Sequence, residues 1–160
     1  MKRLFILSFF FFVFLDTHGQ ENQLNTMVNE SLLFYLENIN DYVERGIINK
    51  GYTKNLYIVL DVYPLNFSFG EKITEKNLNY ISLTNTLPYK KALKKGVNVI
   101  LLSSIKMTNN QLVISFTSQY AKLKKKKHLH LTISDWGDYI YDYSCEKQEW
   151  ILVEKKYGGV

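Results

Sequence analysis

VNVILLSSIKMTNNQLVISFTSQY, from Val97 to Tyr120, decides the fold. Val97 to Ile105 and Gln111 to Tyr120 are rich in β-branched and large apolar residues, and Asn109-Asn110 stands between them. Asparagine tolerates the left-handed backbone of a tight hairpin turn, so the spacing predicts two antiparallel strands. In the second strand Leu112, Ile114, Phe116 and Tyr120 share one face, and Ser115, Thr117 and Gln119 share the other. Such alternation predicts one packed face and one wet face.

The pattern continues toward the carboxyl end. Lys122 to Lys127 reads as a charged connection. In the strand His128 to Ile133, Leu129, Leu131 and Ile133 point one way and His128, His130 and Thr132 the other. Asp135-Trp136-Gly137-Asp138 has turn composition, and Tyr139 to Tyr143 with Trp150 to Lys156 predicts a last hairpin around Ser144 to Gln148.

Working back toward the start, Leu56 to Tyr63 (LYIVLDVY) predicts a strand stopped by Pro64, which has no N–H for a ladder. Leu65, Phe67 and Phe69 alternate with polar residues and glycine as an irregular edge strand would. Leu78 to Thr84 predicts a short strand, and Pro88 to Lys95, closed by Gly96, a short helix. Before these, Leu24, Val28, Leu32, Tyr35, Leu36, Ile39 and Val43 recur at helical spacing. They predict one amphipathic helix of roughly twenty residues, capped near Asn22 or Asn25 and ending at Arg45-Gly46. The expected domain is α+β: a long N-terminal amphipathic helix cradled by a curved antiparallel sheet of five or six strands. Cystatin-like and NTF2-like folds share that outline, which carries no function with it.

The first residues read differently. Lys2 and Arg3 precede twelve residues, Leu4 to Leu15, with Ser8 the one polar interruption. That is the length of a signal-peptide core and short of the about 20 apolar residues that span a bilayer. Thr17 and Gly19 supply small side chains where a signal peptidase needs them, predicting residues 1–19 as a signal peptide cut before Gln20. The single cysteine, Cys145, is in the wrong place for a lipoprotein and has no partner for an intramolecular disulfide. Residues 20–160 then form one exported domain with no membrane span, periplasmic or secreted.

Its 141 residues carry a net charge of +4. Of the 20 basic residues in the whole chain 18 are lysine, and Arg45 is the one arginine after the leader. Nucleic-acid recognition leans on arginine's planar fork, so nucleic acid is not an expected partner. No phosphate-binding glycine loop, zinc cysteine pair or serine elbow occurs, and no cofactor is implied.

The tail YDYSCEKQEWILVEKKYGGV, Tyr141 to Val160, with the hairpin LLSSIKMTNNQLVISF, resembles small exported proteins of Bacteroidetes-type bacteria. Those uncharacterised proteins end in a similar acidic-aromatic hairpin and Tyr-Gly-Gly tail. The resemblance covers residues 97–160. It implies an exported single domain and brings no catalytic residue.

Candidate site residues follow from the residue types. His128 and His130 would project together from one strand face, with Asp135 or Asp138 in reach as further metal ligands; solvated histidines beside lysines are the simpler reading. Lys122, Lys124, Lys125, Lys126 and Lys127 could form an anion patch, extended by Lys90, Lys91, Lys94 and Lys95 if the short helix lies nearby. Asp135 and Asp138, with Trp136, Tyr139, Tyr141 and Tyr143, gather carboxylates and aromatics as a sugar site would. Asp61 interrupts an apolar strand, where a buried carboxyl would mark a site and an exposed one would not. Without a convincing catalytic set, the tyrosines favour a non-catalytic domain binding a protein or envelope ligand, in the manner of an inhibitor or immunity protein. A small-ligand carrier or hydrolase, with its pocket between helix and sheet, is the alternative.

Overall fold

The computed structural model describes residues 2–64, 67–76, 78–124 and 128–159, with side chains from residue 23 onward. The first element is α1, Lys2–Glu44. The expected cap near Asn22 or Asn25 is not where the helix begins. No proline interrupts residues 2–44, and the lone Gly19 costs a helix only about 1 kcal/mol. Among the described residues no helix is long and apolar enough to cross a membrane.

Six strands follow in one sheet of order β2-β1-β3-β4-β5-β6. They are β1 (Leu56–Val59), β2 (Asn79–Ile81), β3 (Val97–Thr108), β4 (Gln111–Leu123), β5 (Leu129–Ser144) and β6 (Glu149–Gly159). β3 to β6 form the expected antiparallel meander. Its β3–β4 turn places Asn109 and Asn110 at φ 51° and 63°, the left-handed pair that such a two-residue turn demands. The sheet as a whole is mixed, because β1 lies parallel to both β2 and β3. Parallel neighbours need crossovers. The second crossover contains α3, Lys90–Lys95, and the first contains the one-turn α2, Glu71–Thr74.

Three expectations are corrected. Leu56 to Tyr63 is a strand only to Val59, after which Leu60–Val62 coils into a 3-10 turn. Asp135-Trp136-Gly137-Asp138 is no turn but the middle of β5, which runs unbroken where two strands were expected. Turn-type residues are tolerated there because each is paired: Asp135 opposite Ser118, Trp136 opposite Thr117, Gly137 opposite Phe116 and Asp138 opposite Ser115. The segment expected as an edge strand after Pro64 forms none at residues 67–70; Leu65 and Asn66 lie outside the described residues. Phe67 and Phe69 instead pack against Tyr63, the latter edge-on, and Phe69 meets Tyr80. Asn29 of α1 holds the segment, accepting from Gly70 N–H at 2.8 Å and donating to the Ser68 carbonyl at 3.0 Å.

Pairing skips one residue at Ser103 in β3, at Ser134 in β5 and at Val153 in β6. Each bulge bends its strand and swaps which alternate residues face which side. The sheet curves into a trough, and α1 lies in it. Leu32, Tyr35, Leu36 and Ile39 pack among Ile100, Ile114, Phe116, Tyr139 and Tyr141. On the other face a smaller cluster joins Leu93 of α3 to Val59, Ile81, Val97, Val99 and Ala121.

Candidate functional site

The centre of the trough holds a polar cluster. Tyr35 belongs to the apolar stripe of α1, and its hydroxyl reaches across to donate to the Asp135 carboxylate of β5. The same hydroxyl lies 3.1 Å from Ser118 Oγ of β4. Ser134, the bulged residue, donates to Asp135 Oδ2 at 3.0 Å, and its oxygen is 3.2 Å from the Ser118 carbonyl. Asp135 is 3% exposed and Ser118 fully buried. Without the bulge at Ser134, the outward-facing row Leu129, Leu131 and Ile133 would continue to Asp135, so the extra residue is what turns this carboxyl inward.

Gly137 is the next inward position. A Cβ there would stand 2.9 Å from the Tyr35 ring and 3.2 Å from the Tyr157 ring. The glycine lets the tyrosine of α1 lie close against the strand.

Burial, and then the charge of Asp135 and its hydrogen bond, push the Tyr35 hydroxyl well above the ordinary tyrosine range, against a smaller lowering by Ser118. Tyr52 sends its own hydroxyl toward the same cluster. Burial raises it, and nearby Ser118 and Ser134 temper the rise. Those two serines lie near the Tyr52 O–H, yet it makes no hydrogen bond of ordinary geometry. Among the described residues the ion pairs are Arg45–Asp41 and Lys156–Glu154, so hydroxyl groups rather than a cation meet the Asp135 carboxylate. A carboxylate with a serine and a tyrosine could move protons in principle. Here α1 covers it, and the arrangement works as a latch between helix and sheet.

Tyr139 and Tyr141, expected at a partner surface, lie in the core on the trough side. Tyr141 is 2.8 Å from Ser31 Oγ and donates to the Met27 carbonyl of α1 at 3.2 Å. Its pKa is pushed up to about 12 by burial, which outweighs the Ser31 hydrogen bond, with Glu30 adding to the rise. Tyr143 is exposed and meets Trp150 edge-on across the last hairpin.

The opposite face of β5 is different. Trp136 is 39% and Ile133 64% exposed, with exposed Leu131 beyond them. Trp136 lies over Gly158 of β6, where a Cβ would come within 2.6 Å of the indole. Asp138 stands opposite Lys156.

His130 pairs with Lys122 across the β4–β5 ladder, and both histidines are exposed. Asp138 is eight residues further along the same strand, roughly 26 Å away at the usual rise, and Asp135 is engaged by Tyr35. The expected gathering of histidines and aspartates therefore does not form. Among the described residues no group of three or more His, Cys, Asp or Glu could hold a metal ion.

Asp61 sits exposed in the 3-10 turn, where it accepts the N–H groups of Leu83 at 2.5 Å and Thr84 at 3.0 Å. Desolvation pushes its pKa up, but donation from Thr84 N–H, Ser82, Leu83 N–H and the Thr84 hydroxyl together brings it below the ordinary value. It pins the loop after β2. Cys145 is exposed in the β5–β6 turn. Lys122 and Lys124 flank the end of β4, and Lys125, Lys126 and Lys127 lie outside the described residues.

Sequence reasoning missed Tyr35, Tyr52 and Ser118 and took Asp135 for a loop residue. One signal was available. Ser118 follows Leu112, Ile114 and Phe116 at alternate positions, a polar residue on an otherwise apolar face.

Comparison with known protein families, with curated proteins and with solved structures finds no match for this chain.

Proposed function

We propose that the protein is an exported, non-catalytic interaction domain, of inhibitor or immunity type, that docks on a partner in the cell envelope. The observation that carries this is the row of large apolar side chains, Leu131, Ile133 and Trp136, exposed on the sheet face away from α1. Exposed aromatic and aliphatic groups clustered on a rigid strand are what a binding hot spot uses. The trough that a carrier or hydrolase would keep open is occupied by Leu32, Tyr35, Leu36 and Ile39, which favours binding over turnover. Support for export is the stretch Leu4 to Leu15 behind Lys2 and Arg3.

Affinity capture from envelope extract, with wild type beside an Ile133→Asp/Trp136→Ala variant, tests the reading. A partner retained by wild type and lost by the variant is expected. Equal capture by both, or none by either, would sink it. Amino-terminal sequencing of the exported protein should begin at Gln20; an uncleaved cytoplasmic chain would overturn the export reading.

A further inference from the structure

From Lys76 to Ser134 the chain runs 59 residues without an aspartate or glutamate and carries 11 of its 18 lysines. The fold gathers much of that run at one end of the sheet. α3 packs Leu93 against Val97 and Ala121, so its lysines ride beside the start of β3 and the end of β4. Tyr120 of β4 donates to the Lys95 carbonyl at 3.3 Å. The β3–β4 ladder pairs Val97 with Ala121, so the next step places Lys122 across from Gly96. Ala121 and Leu123 of β4 face α3, so Lys122 and Lys124 alternate to the other face of the strand, and the lysines on the α3 side are those of the helix itself.

Between α3 and β1 this end opens into a cleft of about 560 Å³, within the size range of small-ligand sites. Lys91 and Lys95 stand on one side, with Asn55, Tyr57 and Tyr89 around them, and no carboxylate lines it. Two cations, an amide and two phenols in a concave, acid-free setting suit a ligand carrying both hydroxyls and negative charge. A concave cleft admits a chain, whereas a membrane surface asks for a flat or convex one.

We propose that this cleft binds an acidic polysaccharide. Its carboxylate or sulfate groups pair with Lys91 and Lys95, and its hydroxyls and ring faces meet Asn55, Tyr57 and Tyr89. The cleft uses α3 and β1, and the apolar row uses β5, so either proposal can fail without the other.

The test is titration of the purified domain with polygalacturonate and with heparin fragments at several salt concentrations, beside vesicles of phosphatidylglycerol and phosphatidylethanolamine. Binding of at least one polysaccharide that weakens steeply with salt is expected, and the one that binds identifies the acid group. Lys91→Gln/Lys95→Gln should weaken it about 25-fold, at about fivefold for each lysine, and flatten the log–log salt slope by about two. Lys106→Gln/Lys147→Gln removes the same charge away from the cleft and should leave binding unchanged; circular dichroism checks that both variants fold. Absence of polysaccharide binding at low salt, equal weakening by the two variants, or binding to vesicles alone would each overturn the proposal.

Discussion

Along β5 the positions Asp135, Gly137, Tyr139 and Tyr141 face the trough beneath α1, while Trp136 and Asp138 alternate with them on the opposite side. The two faces of one strand follow different rules. On the inner face the tyrosine hydroxyls of Tyr35 and Tyr141 find partners 100 and 110 residues away in sequence, and a buried carboxylate is held by hydroxyl donors. On the outer face Ile133 and Trp136 meet solvent. The inner face is specified by packing and hydrogen bonding. The outer face is free to be specified by something outside the molecule.

That contrast can be broken in order of expected effect. Phe116 is fully buried against the Tyr35 ring. Phe116→Ala should lower the unfolding free energy by about 3–5 kcal/mol in chemical denaturation; a loss under about 1 kcal/mol would mean that the trough is loosely packed.

Tyr35→Phe keeps the ring and removes one of Asp135's donors, at an expected cost of about 1–3 kcal/mol. Combined with Asp135→Asn, the loss should fall short of the sum of the two singles, since both act on one cluster. Strict additivity would argue against a latch.

Alkaline pH probes the same face without mutation. Tyr35, Tyr139 and Tyr141 all have raised pKa values, Tyr141 at about 12, with burial the leading cause. The unfolded chain releases these protons near pH 10. Folding therefore keeps its full contribution below that pH, and loses it as the pH rises through the folded values. The denaturation midpoint should be flat to about pH 10 and then fall, together with the appearance of phenolate absorbance. A midpoint unchanged beyond pH 12 would contradict the burial of these groups.

The smallest effect belongs to the outer face. Ile133→Asp should move stability by no more than about 0.5 kcal/mol. A larger loss would show that the row serves the fold rather than a partner.

Much of the architecture was legible because it rests on local signals. The helical spacing from Leu24 to Val43 and the Asn109-Asn110 turn each depend on a few neighbouring residues. So does the alternation of Leu112, Ile114 and Phe116, and all three reappear in the fold. What escaped depends on pairing between distant segments. Asp135-Trp136-Gly137-Asp138 has the composition of a turn, and only a partner strand with room for an inward glycine makes it a strand. The parallel placement of β1 between β2 and β3 leaves no mark on any one segment. The candidate site was least legible. Tyr35 fits its apolar stripe as well as any core residue, and a bulge at Ser134 has no local signature that would turn Asp135 inward.

The bonds from Tyr35 to Asp135 and from Met27 to Tyr141 join residues separated by 100 and 114 positions. A chain delivered amino end first presents the apolar stripe of α1 long before β5 exists to receive it. The meander can close hairpin by hairpin as it emerges, since its pairings are local, and α1 can settle on Ile100, Ile114 and Phe116 of β3 and β4 before β5 arrives. The Tyr35 and Met27 bonds are then the last to close, because Asp135 and Tyr141 both lie in β5.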